Sequence, residues 1–221
     1  MKKTASSLLA ALLASTSFAS SYSVAEKDVP VVNEKSPWLI RARALWVKPD
    51  PSSSTITTIG GTVNHISSTV VPELDFSYFF TNNIAAELIL ATARHHVVAN
   101  GTTLGQVDLG KVNLLPPTLT VQYHFMPDNT ISPYVGAGVN YTHFYKVNTG
   151  PIATSINYDN AWGGALQAGV DYKLNDTWSL NVDVKKIFLK TDVAVTALNI
   201  PMTTNVKINP WLVGVGVGYR V

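Results

Sequence analysis

Residues 211–221 read Trp-Leu-Val-Gly-Val-Gly-Val-Gly-Tyr-Arg-Val, with an apolar or aromatic residue at every odd position. A period of two residues is that of a β-strand, whose side chains alternate between the faces of a sheet. A tilted strand needs about ten residues to cross a bilayer. Trp211 and Tyr219 stand near the two ends, where the aromatic girdles of a transmembrane barrel lie. This stretch therefore predicts one membrane-spanning β-strand.

The same alternation recurs in seven further segments, so the chain is predicted to contain eight such strands. One alternating segment is weak evidence, whereas eight with aromatic ends favour a transmembrane barrel. The seven segments are Trp38 to Trp46, Val70 to Phe80, Ile84 to Ala93, Leu115 to Phe125, Val135 to Thr142, Trp162 to Tyr172 and Trp178 to Lys185.

The connections between these segments alternate in length. The short turns, rich in Asn and Asp that tolerate turn conformations, are 81–83, 127–130 and 174–177. The longer polar stretches are 49–68, 96–113, 146–160 and 191–209. We therefore predict an all-β fold, an eight-stranded antiparallel up-and-down transmembrane β-barrel with short periplasmic turns, long extracellular loops and both termini in the periplasm. Closure is expected because an open sheet edge in hydrocarbon would leave backbone groups without hydrogen bonds.

The N-terminus predicts export from the cytoplasm. Two lysines and a short apolar run precede small residues typical of a cleavage site, the pattern of a secretory signal peptide. We expect residues 1–19 to be the signal peptide, with cleavage after Ala19 or alternatively after Ala25. Residues 20–36 are then expected to be a flexible periplasmic lead, and residues 37–221 the outer-membrane barrel.

Composition argues against several other classes of function. Only 14% of the residues are charged and the formal net charge is +2, so no nucleic-acid partner is expected. The chain has no cysteine and its five histidines show no metal-binding spacing, so we predict no metal site and no cofactor. Gly-x-Gly steps at 136–138 and 214–216 lie within strands, and no helix follows them as in a phosphate loop. We interpret them as positions where the wall closes around bulky neighbours.

Opposite the lipid-facing side chains, the strands carry charged residues that a barrel would turn into its lumen. Buried charges of mixed sign are stable only when they pair. We predict a structural salt-bridge network that fills the periplasmic half. A charged selectivity constriction is the alternative, although eight strands leave room only for side chains or one small ligand. The predicted lumen charge network comprises Arg41, Arg43, Glu73, Asp75, Glu87, Asp171, Asp183, Lys185 and Arg220.

One lysine breaks the pattern, because alternation places Lys186 on the lipid face. Two explanations stay open at this point, a β-bulge after Val184 or a position already above the hydrocarbon. Alternation also continues into one of the long stretches at Val193, Val195 and Ala197, so strands are expected to project above the membrane.

Six short motifs run from the second strand to the C-terminus. They are Asn-Asn-Ile-Ala-Ala-Glu-Leu at 82–88, Leu-Leu-Pro-Pro-Thr-Leu at 114–119, Pro-Tyr-Val-Gly-Ala-Gly-Val-Asn-Tyr at 133–141, Gly-Val-Asp-Tyr at 169–172, Asn-Pro-Trp at 209–211 and Gly-Tyr-Arg at 218–220. Together they resemble the OmpW family of outer-membrane proteins, which includes the AlkL-type alkane-uptake proteins. The resemblance implies an eight-stranded barrel with a hydrophobic pocket or channel open to the outside. It also implies passive entry of small hydrophobic compounds, which leave sideways through the wall into the membrane.

On this resemblance, apolar residues with lumen-facing parity are candidates for the pocket or channel lining, and ordinary core packing is the alternative. Pro116 and Pro117 lack N–H donors, so they are expected to interrupt the strand ladder and help to form a lateral gap. The candidate lining residues are Ile89, Leu114, Phe144, Ile187, Leu189 and Leu212.

Two residues depart from the family's pattern. Barrels of this kind usually end in an aromatic residue read by the barrel assembly machinery, whereas this chain ends in Val221, with Tyr219 two residues before it. Lys185 stands on the lumen side of the seventh strand, where some members of the family present a bulky apolar group. This lysine argues against a tight hydrophobic gate.

We therefore predict a non-enzymatic outer-membrane porin that offers small hydrophobic molecules a passive route or a binding pocket. Outer-membrane lipid, lipopolysaccharide and the barrel assembly machinery, through the C-terminal strand, are the other expected partners. One alternative is a structural or interaction barrel that works through its extracellular loops. A lipid-modifying enzyme would need a nucleophile and a base at the outer rim, where His95, His96 and His143 stand without a partnering motif. A soluble lipocalin-like barrel would turn its aromatic residues inward.

Overall fold

The computed structural model describes residues 35–151, 153–197 and 199–221. The predicted signal peptide and all but the last two residues of the predicted periplasmic lead lie outside them. No helix within the described ranges is long and apolar enough to cross a membrane.

Fourteen antiparallel strands make up the described chain. In chain order they are β1 (Trp38–Lys48), β2 (Ser52–Ser53), β3 (Thr62–Ile66), β4 (Thr69–Phe79), β5 (Ile84–Ala91), β6 (Ala93–Thr102), β7 (Gly105–Leu115), β8 (Thr118–His124), β9 (Ile131–Asn148), β10 (Ala153–Tyr158), β11 (Ala161–Lys173), β12 (Trp178–Ala197), β13 (Ile200–Lys207) and β14 (Trp211–Arg220).

Eight of these strands close into a ring. Each strand pairs with its neighbour in the order β1, β4, β5, β8, β9, β11, β12 and β14, and β14 pairs back with β1. The closing seam runs from Leu39 opposite Arg220 to Lys48 opposite Trp211. Every edge in the ring is therefore paired, as hydrocarbon requires. The predicted eight-stranded up-and-down barrel is confirmed.

Beyond the ring, on the side of the long connections, the wall continues as two separate sheets. One contains β2, β13, the end of β12 and β10, and the other contains β3, β6, β7 and the end of β9. The prediction of strands that project above the membrane is confirmed, and the four long connections, predicted as polar stretches, themselves contain strand segments. The reason is that apolar side chains within these stretches, among them Val63, Val107 and Val193, pack into one core inside the extension.

The outward face of the ring carries the predicted aromatic girdles. Near the short turns, Trp38 packs edge-on against Tyr78 and Trp178 against Tyr219, with both pairs of ring centroids 5.0 Å apart. At the opposite boundary the exposed aromatic residues are Trp46, Trp162, Phe188 and Trp211. Aromatic rings of this kind sit where hydrocarbon meets water.

Glycines in the wall make room for large lumen side chains, in line with the sequence-based interpretation. A Cβ atom at Gly214 would lie 3.1 Å from Cδ of Arg43, and one at Gly136 would lie 3.2 Å from the side chains of Gln122 and Gln167. Larger residues at these positions would push the polar side chains out of their contacts.

The structure decides between the two explanations for Lys186. The register is regular, with Lys186 directly opposite Leu166 and Trp211, so no bulge turns it inward. Its Nζ donates to the carbonyl oxygen of Asn209 at 2.7 Å and lies 4.7 Å from the ring centroid of Trp211. Lys186 thus lies on the outward face at the outer girdle, where its head reaches beyond the hydrocarbon.

Candidate functional site

The lower lumen, near the short turns, is organised around Arg41. Its guanidinium donates to both oxygens of Asp171, from Nε at 3.1 Å and from Nη2 at 2.7 Å. Its Nη1 donates to Glu87 Oε1 at 2.8 Å and to the hydroxyl of Ser77 at 2.9 Å. The strand pattern puts Arg41 here, because odd positions of β1 face the lumen. Bidentate pairing of this kind gives Arg–carboxylate contacts both strength and fixed geometry.

A second group of ion pairs lies directly above the first. Nη1 of Arg43 donates to Glu73 at 2.9 Å and Nη2 donates to Glu87 at 3.2 Å. Nζ of Lys185 lies 2.8 Å from Glu73 and 2.8 Å from Asp183. Asp75 lies 3.3 Å from Arg43. The eight charged residues of this cluster are at most 5% exposed, so their side chains fill the lumen at this level.

Neutral side chains that the sequence-based set omitted complete the cluster. Gln122 and Gln167 donate to Glu87 Oε2 at 2.6 and 2.8 Å, and the hydroxyl of Tyr134 donates to Asp183 at 2.8 Å. All three occupy lumen-facing positions in the alternation of their strands, and this alternation is the sequence signal that could have identified them. They satisfy carboxylate oxygens that the cations do not reach, which buried charges require.

One predicted member of the network does not belong to it. Arg220 lies below the cluster and donates to the carbonyl oxygen of Ser36 at 2.9 Å. Its guanidinium carbon lies 4.4 Å from the ring centroid of Phe79. Arg220 is the last residue of β14, near the short turns, and within the described residues its guanidinium forms no ion pair with a carboxylate of the cluster.

An apolar cavity of about 650 Å³, including its open mouth, lies directly above the charged cluster. Five of the six candidate lining residues contribute to its wall, namely Ile89, Leu114, Ile187, Leu189 and Leu212. Phe144 does not line this cavity, since it packs into the core of the extension with its ring 5.4 Å from that of Tyr158. The floor of the cavity includes Glu73 and Lys185, the top of the cluster.

Two smaller apolar cavities continue the first one through the extension. A cavity of about 420 Å³ shares His95, Leu114 and Ile208 with the first, so the two adjoin. Another of about 430 Å³ shares Leu109 with the second and is also lined by Leu104, in the turn between β6 and β7. These shared residues place the three cavities in a row above the charged floor, and this row is termed the apolar column.

His95 is the main polar side chain between the two lower cavities. Its Nδ1 lies 2.6 Å from the carbonyl oxygen of Ser67, which can only accept, so Nδ1 carries the proton. Burial in the extension, above the outer girdle, lowers the pKa of His95 and keeps its ring neutral at pH 7. The column therefore carries no charge at this point.

The wall beside the cavity above the charged cluster contains a break in the strand ladder. β5 pairs with β8 up to Ile89 opposite Thr118, and β6 pairs with β7 from Ala93 opposite Leu114. Three residues lie between these two pairs on each strand, so pairing resumes in the same register. Between them, residues 90–92 and residues 115–117 lie opposite each other, but within the described chain the two segments do not pair with one another. The cause is Pro116 and Pro117, which have no N–H to donate.

The break borders the cavity directly. Ala91 on one side and Pro116 on the other line the cavity, while the neighbouring Leu115 is 41% exposed on the lipid-facing side. The carbonyl oxygen of Pro116 accepts a hydrogen bond from Asn140 Nδ2 at 3.1 Å, which turns its polar group inward. One side-chain hydrogen bond still crosses the gap, from the hydroxyl of Thr92 to the carbonyl oxygen of Leu114 at 3.3 Å. The apolar part of the wall beside the cavity is formed by Ala91, Leu115 and Pro116.

Sequence comparison matches residues 34–221 to the OmpW family. The chain belongs to the OmpW family. The uncharacterized outer-membrane protein y4mB of Sinorhizobium fredii is 46% identical over 186 residues, which cover 84% of this chain and 80% of that protein. Outer membrane protein W of Vibrio cholerae is 35% identical and covers 85% of this chain, with 90% of its own length matched. The crystal structure of OprG from Pseudomonas aeruginosa superposes with a TM-score of 0.77 at 29% identity, over 85% of this chain and 97% of that chain.

As an OmpW-family protein, the chain resides in the bacterial outer membrane. The short turns then lie in the periplasm and the two-sheet extension lies outside the cell. This orientation places the charged cluster in the periplasmic half of the OmpW-family barrel. The apolar column lies on the extracellular side of the cluster, and the ladder break lies at the level of the outer leaflet.

Proposed function

We propose that this protein gives small hydrophobic molecules a passive route from the cell exterior into the outer membrane. The observation that carries the proposal is the apolar cavity, which has a charged floor below it and a proline-made break in the wall beside it. Transfer out of water favours entry by roughly 25 cal/mol for each Å² of apolar surface buried.

Entry is supported by the column of cavities inside the extension. Leu109 and Leu114 line these cavities, so a small apolar molecule that enters them leaves water for contact with apolar side chains. It does so without crossing the polar headgroups of the outer leaflet. The neutral ring of His95 adds no charge along this path.

Sideways exit is supported by the contrast between floor and wall. Passing the floor would require Glu73 and Lys185 to give up their ion pair, which costs several kcal/mol for buried charges. Passing the wall at Ala91 and Pro116 breaks no ladder hydrogen bond. The lower barrier is therefore lateral, toward lipid.

A direct test compares solutes in vesicles whose outer leaflet contains lipopolysaccharide. We expect the protein to speed the arrival of N-phenylnaphthylamine, which fluoresces in hydrocarbon, and to leave sucrose permeation unchanged. Ile187→Trp fills the cavity and is expected to slow probe arrival about tenfold, a barrier increase of roughly 1.4 kcal/mol. Val184→Trp, on the lipid face of the same strand, is the matched control.

Two results would contradict the proposal. One is probe arrival that the protein does not change, and the other is an equal loss in the Ile187→Trp and Val184→Trp proteins. A lipid-modifying enzyme is not favoured by the contacts of the three candidate histidines. Within the described ranges their rings bond the Ser67 carbonyl, Asp108 and Asn160, and none bonds a hydroxyl group.

A further inference from the structure

Four lysines lie together on the outward surface at the outer girdle, where β12, β13, β14 and β1 meet. They form two levels and are called here the lysine patch. Its members are Lys48, Lys186, Lys190 and Lys207.

The lower level is built around Trp211. Lys48 on β1 and Lys186 on β12 both stand directly opposite Trp211 on β14, one on each side. Nζ of Lys186 lies 4.7 Å from the centroid of this indole ring, and Nζ of Lys48 lies 5.9 Å from that of Trp46. Both ammonium groups thus lie beside indole rings of the outer girdle, at the boundary between hydrocarbon and headgroups.

The upper level is electrostatically unfavourable in the protein alone. Lys190 on β12 stands directly opposite Lys207 on β13, and both side chains are exposed. Like charges in directly opposite positions destabilise a sheet. Neither lysine forms an ion pair with any part of the chain that the structure describes. An anion placed between them would remove this repulsion.

Acidic neighbours only partly balance the patch. Asp50 Oδ2 lies 3.7 Å from Lys186 Nζ, and Asp192, two residues beyond Lys190, accepts a hydrogen bond from Asn205 at 2.8 Å. Asp159, whose backbone N–H donates to the carbonyl oxygen of Asp192 at 3.0 Å, is a third acidic neighbour. Four lysines against three carboxylates leave a formal charge of +1, so the patch keeps a net positive charge on the outward surface.

We propose that the lysine patch binds the phosphate groups of a lipopolysaccharide molecule in the outer leaflet. Lipopolysaccharide carries phosphates on its innermost sugars, directly above its acyl chains, which is the level of this patch. The two lysine levels are four residues apart on β12, or about 13 Å along the strand at roughly 3.3 Å per residue. Phe188, exposed between Lys186 and Lys190, offers an apolar contact for the same molecule.

The experiment measures lipopolysaccharide binding to the full-length barrel in phosphatidylcholine nanodiscs. We expect Lys190→Gln/Lys207→Gln to weaken binding about 30-fold, since each lysine near an anionic headgroup contributes about 1 kcal/mol. The matched control is Lys111→Gln/Lys146→Gln, which removes two exposed lysines from β7 and β9 on the other side of the barrel. It is expected to bind within about twofold of the parent.

Two further measurements separate binding from folding. Without lipopolysaccharide, the Lys190→Gln/Lys207→Gln protein should be at least as stable to heat as the parent, because a repulsive pair has been removed. Dephosphorylated lipopolysaccharide should bind the parent no better than it binds this variant.

Three results would overturn the proposal. The first is equal loss of binding in the control variant, which would indicate a general cationic collar. The second is equal affinity for phosphatidylglycerol, which would indicate non-specific attraction to anionic lipid. The third is lysine-dependent dimerisation in the absence of lipopolysaccharide, which would make a second copy of this chain the occupant.

Discussion

The two halves of the lumen are built from the same strands but in opposite ways. On β12, the lumen-facing residues Asp183 and Lys185 belong to the charged cluster, and the next two, Ile187 and Leu189, line the apolar cavity. The lower half is filled, because charges must touch partners to be buried. The upper half contains an apolar core with cavities in it, and its side chains need no polar partners. The difference between the two halves thus follows from the chemistry of the lumen-facing residues on an unchanged strand pattern.

A single ion pair forms the boundary between the two halves. Glu73 and Lys185 pair with each other and also form the floor of the cavity. Lys185, which departs from the family's pattern, closes the cavity from below by forming ion pairs with acidic residues. A bulky apolar residue at the same position would close the cavity by packing.

The largest effect is expected from breaking the lower half. Arg41→Leu leaves Glu87 and Asp171 buried without their main cation, and it should lower the free energy of unfolding by about 3–5 kcal/mol. Urea unfolding in detergent micelles measures this loss. The control is Arg94→Leu on the exposed face of β6, which should change stability by less than about 0.5 kcal/mol. Equal losses in the two proteins would show that the cluster does not stabilise the barrel.

The mirror experiment introduces a charge into the upper half. Val193→Asp puts a carboxyl group among apolar side chains in the extension and should cost about 2–3 kcal/mol, because the group has no partner there. Ala194→Asp, on the exposed face of the same strand, should be nearly neutral. The same unfolding measurement compares them. A harmless Val193→Asp would mean that water fills the column.

Closing the ladder break tests the link between cavity and lipid. Ala91 and Pro116 lie opposite each other in the continued register, and the chain has no cysteine of its own. A disulfide in Ala91→Cys/Pro116→Cys should slow probe arrival about tenfold, or roughly 1.4 kcal/mol in barrier, and reduction should restore it. Leu88→Cys/Leu119→Cys crosslinks the same seam below the break and should have no effect. Unchanged arrival in the crosslinked protein would rule out this exit.

The smallest effect concerns the extracellular rim. The His96 ring and the amide of Gly110 donate to Asp108 and hold the pKa of its carboxyl below the usual value of 3.8. Because the pKa is lowered, the stabilisation that these hydrogen bonds give the folded hairpin is present above about pH 4. It is lost as the pH falls through the lowered pKa.

Because Asp108 is exposed, the loss of stability at low pH should be confined to the β6–β7 hairpin and should leave β1 unaffected. Hydrogen exchange, corrected for the intrinsic rate at each pH, measures it. Asp108→Asn should remove the dependence, and pH-independent protection in the parent hairpin would contradict the assignment.

The sequence by itself determined the strands, their faces and the membrane setting. A period of two residues with aromatic ends is a local property, so Trp38 to Trp46 or Trp211 to Tyr219 can be assigned without knowing their neighbours. Parity alone also placed Arg41, Arg43 and Ile187 in the lumen, since alternation leaves a strand side chain only two directions. The short Asn- and Asp-containing turns then set the order of the strands.

Only the tertiary structure decided which of those side chains meet and where space remains. Arg41 reaches Asp171, 130 residues away in the chain, and Arg220 does not join them, because height along the barrel depends on the stagger between strands. The same stagger brings Ala91 opposite Pro116 and turns two prolines into a break beside a cavity. Register and stagger arise from pairing across the whole ring, so no single segment of the sequence contains them.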